Sequence, residues 1–137
     1  MQQSRSREPY SIFSLDIDKS ETTYQSVGQI LEHLKQCIED DPAATLIATF
    51  DHLAHTRALP NGQIQDEILA AQNIVFCFGF TLPTPQSLAL RPRSIGVVEM
   101  PGSFFITFME APMPVANTTM EKWAHSICNR AGENATA

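Results

Sequence analysis

Glycine is scarce, with six in 137 residues, and no GxGxxG, P-loop, HExxH or GxSxG pattern occurs. Nucleotide binding and the common hydrolase mechanisms therefore lack their usual carriers. Cysteine is nearly as limited. Cys37, Cys77 and Cys128 are far apart and odd in number, which fits neither a disulfide framework nor a CxxC metal pattern. No apolar run approaches the roughly 18 residues that a bilayer span requires, and the opening Met1-Gln2-Gln3-Ser4-Arg5-Ser6-Arg7 has no apolar signal-peptide core. The expectation is a cytoplasmic protein with reduced thiols and no membrane partner. Basic residues are few as well: nine, scattered along a chain of net charge -6, which argues against nucleic acid. No repeat or low-complexity tract interrupts the chain.

What is present is an ordinary globular composition, 43% hydrophobic and 18% charged, at a length suited to one domain. Residues 1–9 are polar and aperiodic and read as a mobile lead-in, 10–132 as the domain, and 133–137 as a frayed tail. Phe13, Leu15 and Ile17 alternate with Ser14, Asp16 and Asp18, as in a half-buried strand. Tyr24, Val27, Leu31, Leu34 and Ile38 then recur at helical spacing after a possible cap at Ser20, until Asp41-Pro42 stops them. Ala44 to Phe50 reads as a second strand, with Leu46, Ala48 and Phe50 on one side. Leu53 to Gly62 reads as a loop, and a short helix is expected through Glu67, Ile68 and Ala71. Asn73 to Phe80 is apolar on both faces and should be an interior strand.

Thr84 with Pro85 opens a helical turn through Leu88 and Leu90. Ser94 to Met100 and Phe104 to Met109 form an antiparallel hairpin across Pro101-Gly102-Ser103. A final helix, started by a Thr118 to Glu121 capping box, presents Met120, Trp123, Ala124 and Ile127 and is closed by Gly132. The implied class is α+β, a β-α-β(4)-α antiparallel sheet with two main helices on one face, where Tyr24, Leu31, Leu34 and Ile38 meet Trp123 and Ile127.

Thr49 to Pro112 carries Phe50-Asp51-His52, a strand closing on Phe78-Gly79, the Thr84-Pro85 turn, Arg91-Pro92-Arg93 leading into Ile95-Gly96-Val97-Val98-Glu99, and Gly102 before a strand to Glu110-Ala111-Pro112. In these features it distantly resembles the bacterial family called domain of unknown function three-hundred-and-two. That resemblance implies the same element order and a fold resembling the TATA-binding-protein-like class. It brings no activity that attaches to a residue.

Four groups of side chains invite a chemical reading. Asp51, His52 and His55 set two imidazoles beside a carboxylate, a pattern suited to proton exchange or metal binding, or simply to a strand end bonding its own backbone. They fall short of a complete ligand set, so no tightly bound metal and no cofactor are expected. Arg91 and Arg93 can clamp a carboxylate or phosphate, or pair with Glu99 or Asp51. Glu99 and Glu110 end the hairpin strands and are candidates for a carboxylate pair. Cys77 sits among Val75, Phe76 and Phe78 and reads as an inert core thiol.

The apolar load on both faces of the later strands exceeds what two helices cover, so a partner subunit, the long connections or a ligand must meet the second face. The leading expectation is a non-enzymatic, self-associating domain, a homodimer with room for a small apolar or amphipathic molecule. The alternative is a small enzyme or metal-dependent site on Asp51, His52 and His55.

Overall fold

The computed structural model describes residues 1–5 and 9–130; the expected Gly132 cap and the tail 133–137 lie outside the described residues. Five strands form one antiparallel sheet in the order β1-β5-β4-β3-β2. They are β1 (Ile12–Asp18), β2 (Ala44–Asp51), β3 (Ala70–Phe78), β4 (Arg93–Glu99) and β5 (Ser103–Met109). Helix α1 (Val27–Asp40) crosses from one edge strand to the other, and α3 (Pro114–His125) follows the last strand. This is the expected β-α-β(4)-α order, with one added helix, α2 (His52–Ala58).

Alternation in the strands and helical spacing in α1 and α3 meet in a single core. On the sheet, Ile17, Ile74, Phe76, Ile95, Val97, Phe104 and Ile106 are fully buried; the helices bury Ile30, Leu34, Ile38 and Met120 against them, and Ile127 joins from the turn just past α3. Each large side chain so covered contributes about 1.5–3 kcal/mol relative to leaving it in water. Trp123 sets its ring edge-on to Phe76 at 5.5 Å and tilted on Phe78 at 5.9 Å. Both helices thus lie on one face, and Tyr24 packs at its margin. Ser26 rather than Ser20 caps α1, its hydroxyl accepting from Gln29 N–H. Asp18 instead caps a short 3-10 turn, Lys19–Glu21.

Several expectations are corrected. The supposed loop after Asp51 is α2, which buries only Leu53 and so leaves no periodic stripe to recognise. The helix expected through Glu67, Ile68 and Ala71 does not form; β3 begins at Ala70 and ends at Phe78, leaving Phe80 80% exposed. A bulge between Leu46 and Ala48 shifts the register of β2, so Leu46 pairs with Phe76 on the helix side while Ala48 and Phe50 pair with Val75 and Asn73 on the other. Helix α3 starts at Pro114, four residues before the expected Thr118 cap, and the Thr118 hydroxyl donates back to the Pro114 carbonyl.

On the face without α1 and α3, Val75, Cys77, Val98 and Phe105 are half-buried. The connection before β3 leans over part of this face. Its Gln65 and Ile68 join Val98 and Phe105 in lining an open cleft of about 770 Å³. Cys77 is therefore half-buried on this face rather than in the helix-covered core.

Candidate functional site

At the end of the sheet where β3 stops and β4 begins, the chain must turn sharply around the last core aromatic. Gly79 does this at φ +116, a conformation that side-chain-bearing residues rarely adopt. A Cβ there would also stand 3.4 Å from Arg91 Nη2 and 3.7 Å from Met113 Cε, so the glycine lets two elements close in. The following segment contains a short 3-10 helix (Pro85–Leu90), begun by Thr84 as expected, and returns through Arg91 and Pro92 to β4.

The result is a cavity of about 110 Å³ walled by Phe78, Leu90, Met113 and Ala116, with Arg91 and Arg93 at its side. Arg91 Nη1 donates to the Thr81 carbonyl at 2.6 Å. Arg93 Nη1 donates to the Leu90 carbonyl at 3.1 Å, and its Nη2 donates to the Met109 carbonyl. Arg93 Nε is buried and has no acceptor. A guanidinium carries five donors, so both arginines keep unused N–H groups beside an apolar wall. Burial pushes the Arg93 guanidinium below its usual range, opposed by the nearby Tyr10 phenol. The first turn of α3, which supplies Met113 and Ala116, has no side-chain cap and so adds its own preference for an anion.

Neither arginine pairs with the carboxylates expected for it. Among the described residues the ion pair present is Lys19 Nζ to Glu99 Oε2, at 2.8 Å. Asp51 caps α2, accepting from Ala54 N–H at 2.9 Å. Asp51 also lies opposite Gln72, whereas Arg93 lies opposite Phe76. Four residues of β3 separate those rungs, roughly 13 Å, so the structure does not bring the arginines together with the histidine cluster.

His52 and His55 are exposed, 6.0 Å apart between ring centroids, and both rings lie against Phe50. Among the described residues no group of three or more His, Cys, Asp or Glu side chains is placed to share a metal ion. Glu99 and Glu110 are not neighbours either. Glu99 faces Phe104 at the turn of the hairpin, while Glu110 follows the far end of β5, roughly 20 Å along the strand.

Sequence reasoning missed Gly79 and Met113 as pocket builders. The glycine after a closing apolar strand was the available signal. It also passed over His33, whose Nε2 lies 2.7 Å from Ser126 Oγ and 3.6 Å from Cys37 Sγ, tying α1 to the end of α3. Burial depresses the His33 pKa and pushes the Cys37 thiol up, so neither is arranged as an activated nucleophile.

A family of unknown function, DUF6858, matches residues 1–129, and the chain belongs to it. A crystal structure of the uncharacterized conserved protein DUF302 from Bacillus stearothermophilus is similar at a TM-score of 0.51 and 12% identity, covering 87% of this chain and 96% of that one. At that identity the likeness is one of fold, and it agrees with the sequence resemblance. No curated protein matches.

Proposed function

We propose that this member of a family of unknown function is a binding domain that captures the carboxylate of a small amphipathic molecule on Arg91 and Arg93. The observation that carries the reading is Arg93 Nε, a buried donor with no acceptor beside an apolar cavity. A buried unpaired donor costs about 1–3 kcal/mol, which an arriving oxygen recovers. The guanidinium fork matches a carboxylate in shape, and the apolar walls favour carbon next to it. Among the residues lining the pocket the one hydroxyl, Ser87, is engaged by Thr84 at 3.0 Å and has no imidazole or carboxylate beside it in that lining, so capture rather than conversion is the chemistry these side chains support.

NMR titration of the full chain with sodium butanoate tests this directly. The Arg93 Nε–H resonance and the amides of Met113 and Ala116 should move together and saturate, and Arg93→Met should remove the response. Shifts that are absent, or that survive in Arg93→Met and Arg91→Met alike, overturn the reading.

Self-association is part of the same proposal. Ile12 and Met109 pair in register and are 68% and 54% exposed on the face away from α1 and α3. Two copies meeting there would cover them along with Phe105 and Val98. Light scattering at micromolar concentration should return twice the mass of 15.2 kDa; a persistent monomer removes the dimer and leaves the pocket reading intact.

A further inference from the structure

The arginine pocket is too small for most ligands. At about 110 Å³ it falls below the several hundred that small-molecule sites span. It does not end at Met113, however. Phe78, Pro112, Met113 and Ala116 also line a second groove of about 580 Å³, which runs between the entry to β2 and the first turn of α3. Met113 stands at the junction, and a methionine side chain adapts readily to whatever passes it.

The groove is apolar along its length, with Ala43, Phe80 and Val115 added to the shared residues. Phe80 and Val115 are 80% and 74% exposed, large side chains held in water at its rim. An occupant of matching polarity would cover both. Of the polar side chains, Asp41 is distinctive: its carboxylate accepts from Ala43 N–H at 2.8 Å and sets negative charge in the groove, whereas Arg91 and Arg93 line the smaller cavity and not the groove. A second carboxylate on the ligand would meet like charge there.

From this continuity, and resting on the carboxylate reading above, we infer that the ligand is an aliphatic monocarboxylate whose chain passes Met113 and lies in the groove between Ala43 and Val115. The head is held by guanidinium N–H groups. The chain is held by area removed from water, with no hydrogen bond required of it.

Calorimetric titration of the full chain with butanoate, octanoate, dodecanoate and dodecanedioate, each below its micelle concentration, tests the length and the single charge. Each added methylene should tighten Kd about four-fold until the groove is filled. Dodecanedioate should bind at least ten-fold more weakly than dodecanoate. Val115→Ser, which shortens the apolar rim without adding charge to the first turn of α3, should weaken dodecanoate several-fold more than butanoate, with retained thermal unfolding confirming the fold.

Butanoate binding with no gain from chain length overturns the groove while the pocket reading stands. No response to any carboxylate overturns both. Length-dependent binding that is unchanged in Arg93→Met reports adsorption on exposed apolar surface and also overturns the inference.

Discussion

Where β2 finishes, Asp51 is occupied by Ala54 N–H and starts a helix, with His52 and His55 standing in water beside Phe50. Where β4 begins, Arg93 is tucked against the core with one donor unmatched, and Arg91 is held by a single carbonyl. The reactive-looking cluster is thus the one that builds local structure, and the pair read as suited to surface ion pairing meets no carboxylate among the described residues. Residue type alone does not separate the two ends. What separates them is whether a polar group's hydrogen bonds are satisfied by its own neighbours, because an unsatisfied buried donor is costly and a satisfied exposed acceptor is ordinary.

The strongest way to break this comparison is at Phe78, which is both core and pocket floor and packs on Trp123. Phe78→Ala should cost about 3–5 kcal/mol in urea unfolding and abolish carboxylate binding. A loss well under 1 kcal/mol would mean that the pocket end is not continuous with the core.

Asp51→Ala addresses the other end. Loss of the cap should cost about 1 kcal/mol, read by the same unfolding experiment, and leave carboxylate binding as it was. If Asp51→Ala instead removed binding, the two ends would be coupled and their contrast would fail. Smaller still, His52→Ala and His55→Ala should each stay within about 0.5 kcal/mol of the parent. Elemental analysis that found one metal per chain, lost in these variants, would restore the metal-dependent alternative.

The smallest effect asks whether local satisfaction extends to the helix layer, through His33 and Ser126. Burial depresses the His33 pKa from its ordinary 6.5, so the folded state disfavours the protonated ring. Its contribution is complete above that value and is lost as pH falls through the lower folded-state pKa. The urea midpoint should decline on acidification below about pH 6.5, and less steeply in His33→Gln. Equal slopes in the two proteins would remove His33 from the account.

The candidate site was legible only in pieces. Arg91 and Arg93 stood out by type, whereas the place of Gly79 after an apolar strand went unused, and the sequence paired the arginines with Glu99 or Asp51. Those carboxylates are held by Lys19 and by α2. Helix α2 itself escaped notice because a helix with one buried residue has no stripe. The bulge at Ile47 escaped because one inserted residue inverts which side chains share a face without altering composition.

By itself, the sequence determined the order of the strands and the two main helices, the hairpin and the faces of α1 and α3, since these follow from spacings of two and of three to four residues that act locally. Only the tertiary structure decided which polar groups are satisfied. Asp51 is satisfied three residues on, but Glu99 meets Lys19 and Arg93 meets the Met109 carbonyl from other elements, and those bonds depend on where the elements come to rest. The same holds for the cavity, whose walls come from the end of β3, the turn before β4 and the start of α3. No local period encodes that convergence, because it arises from the packing of both helices onto one sheet.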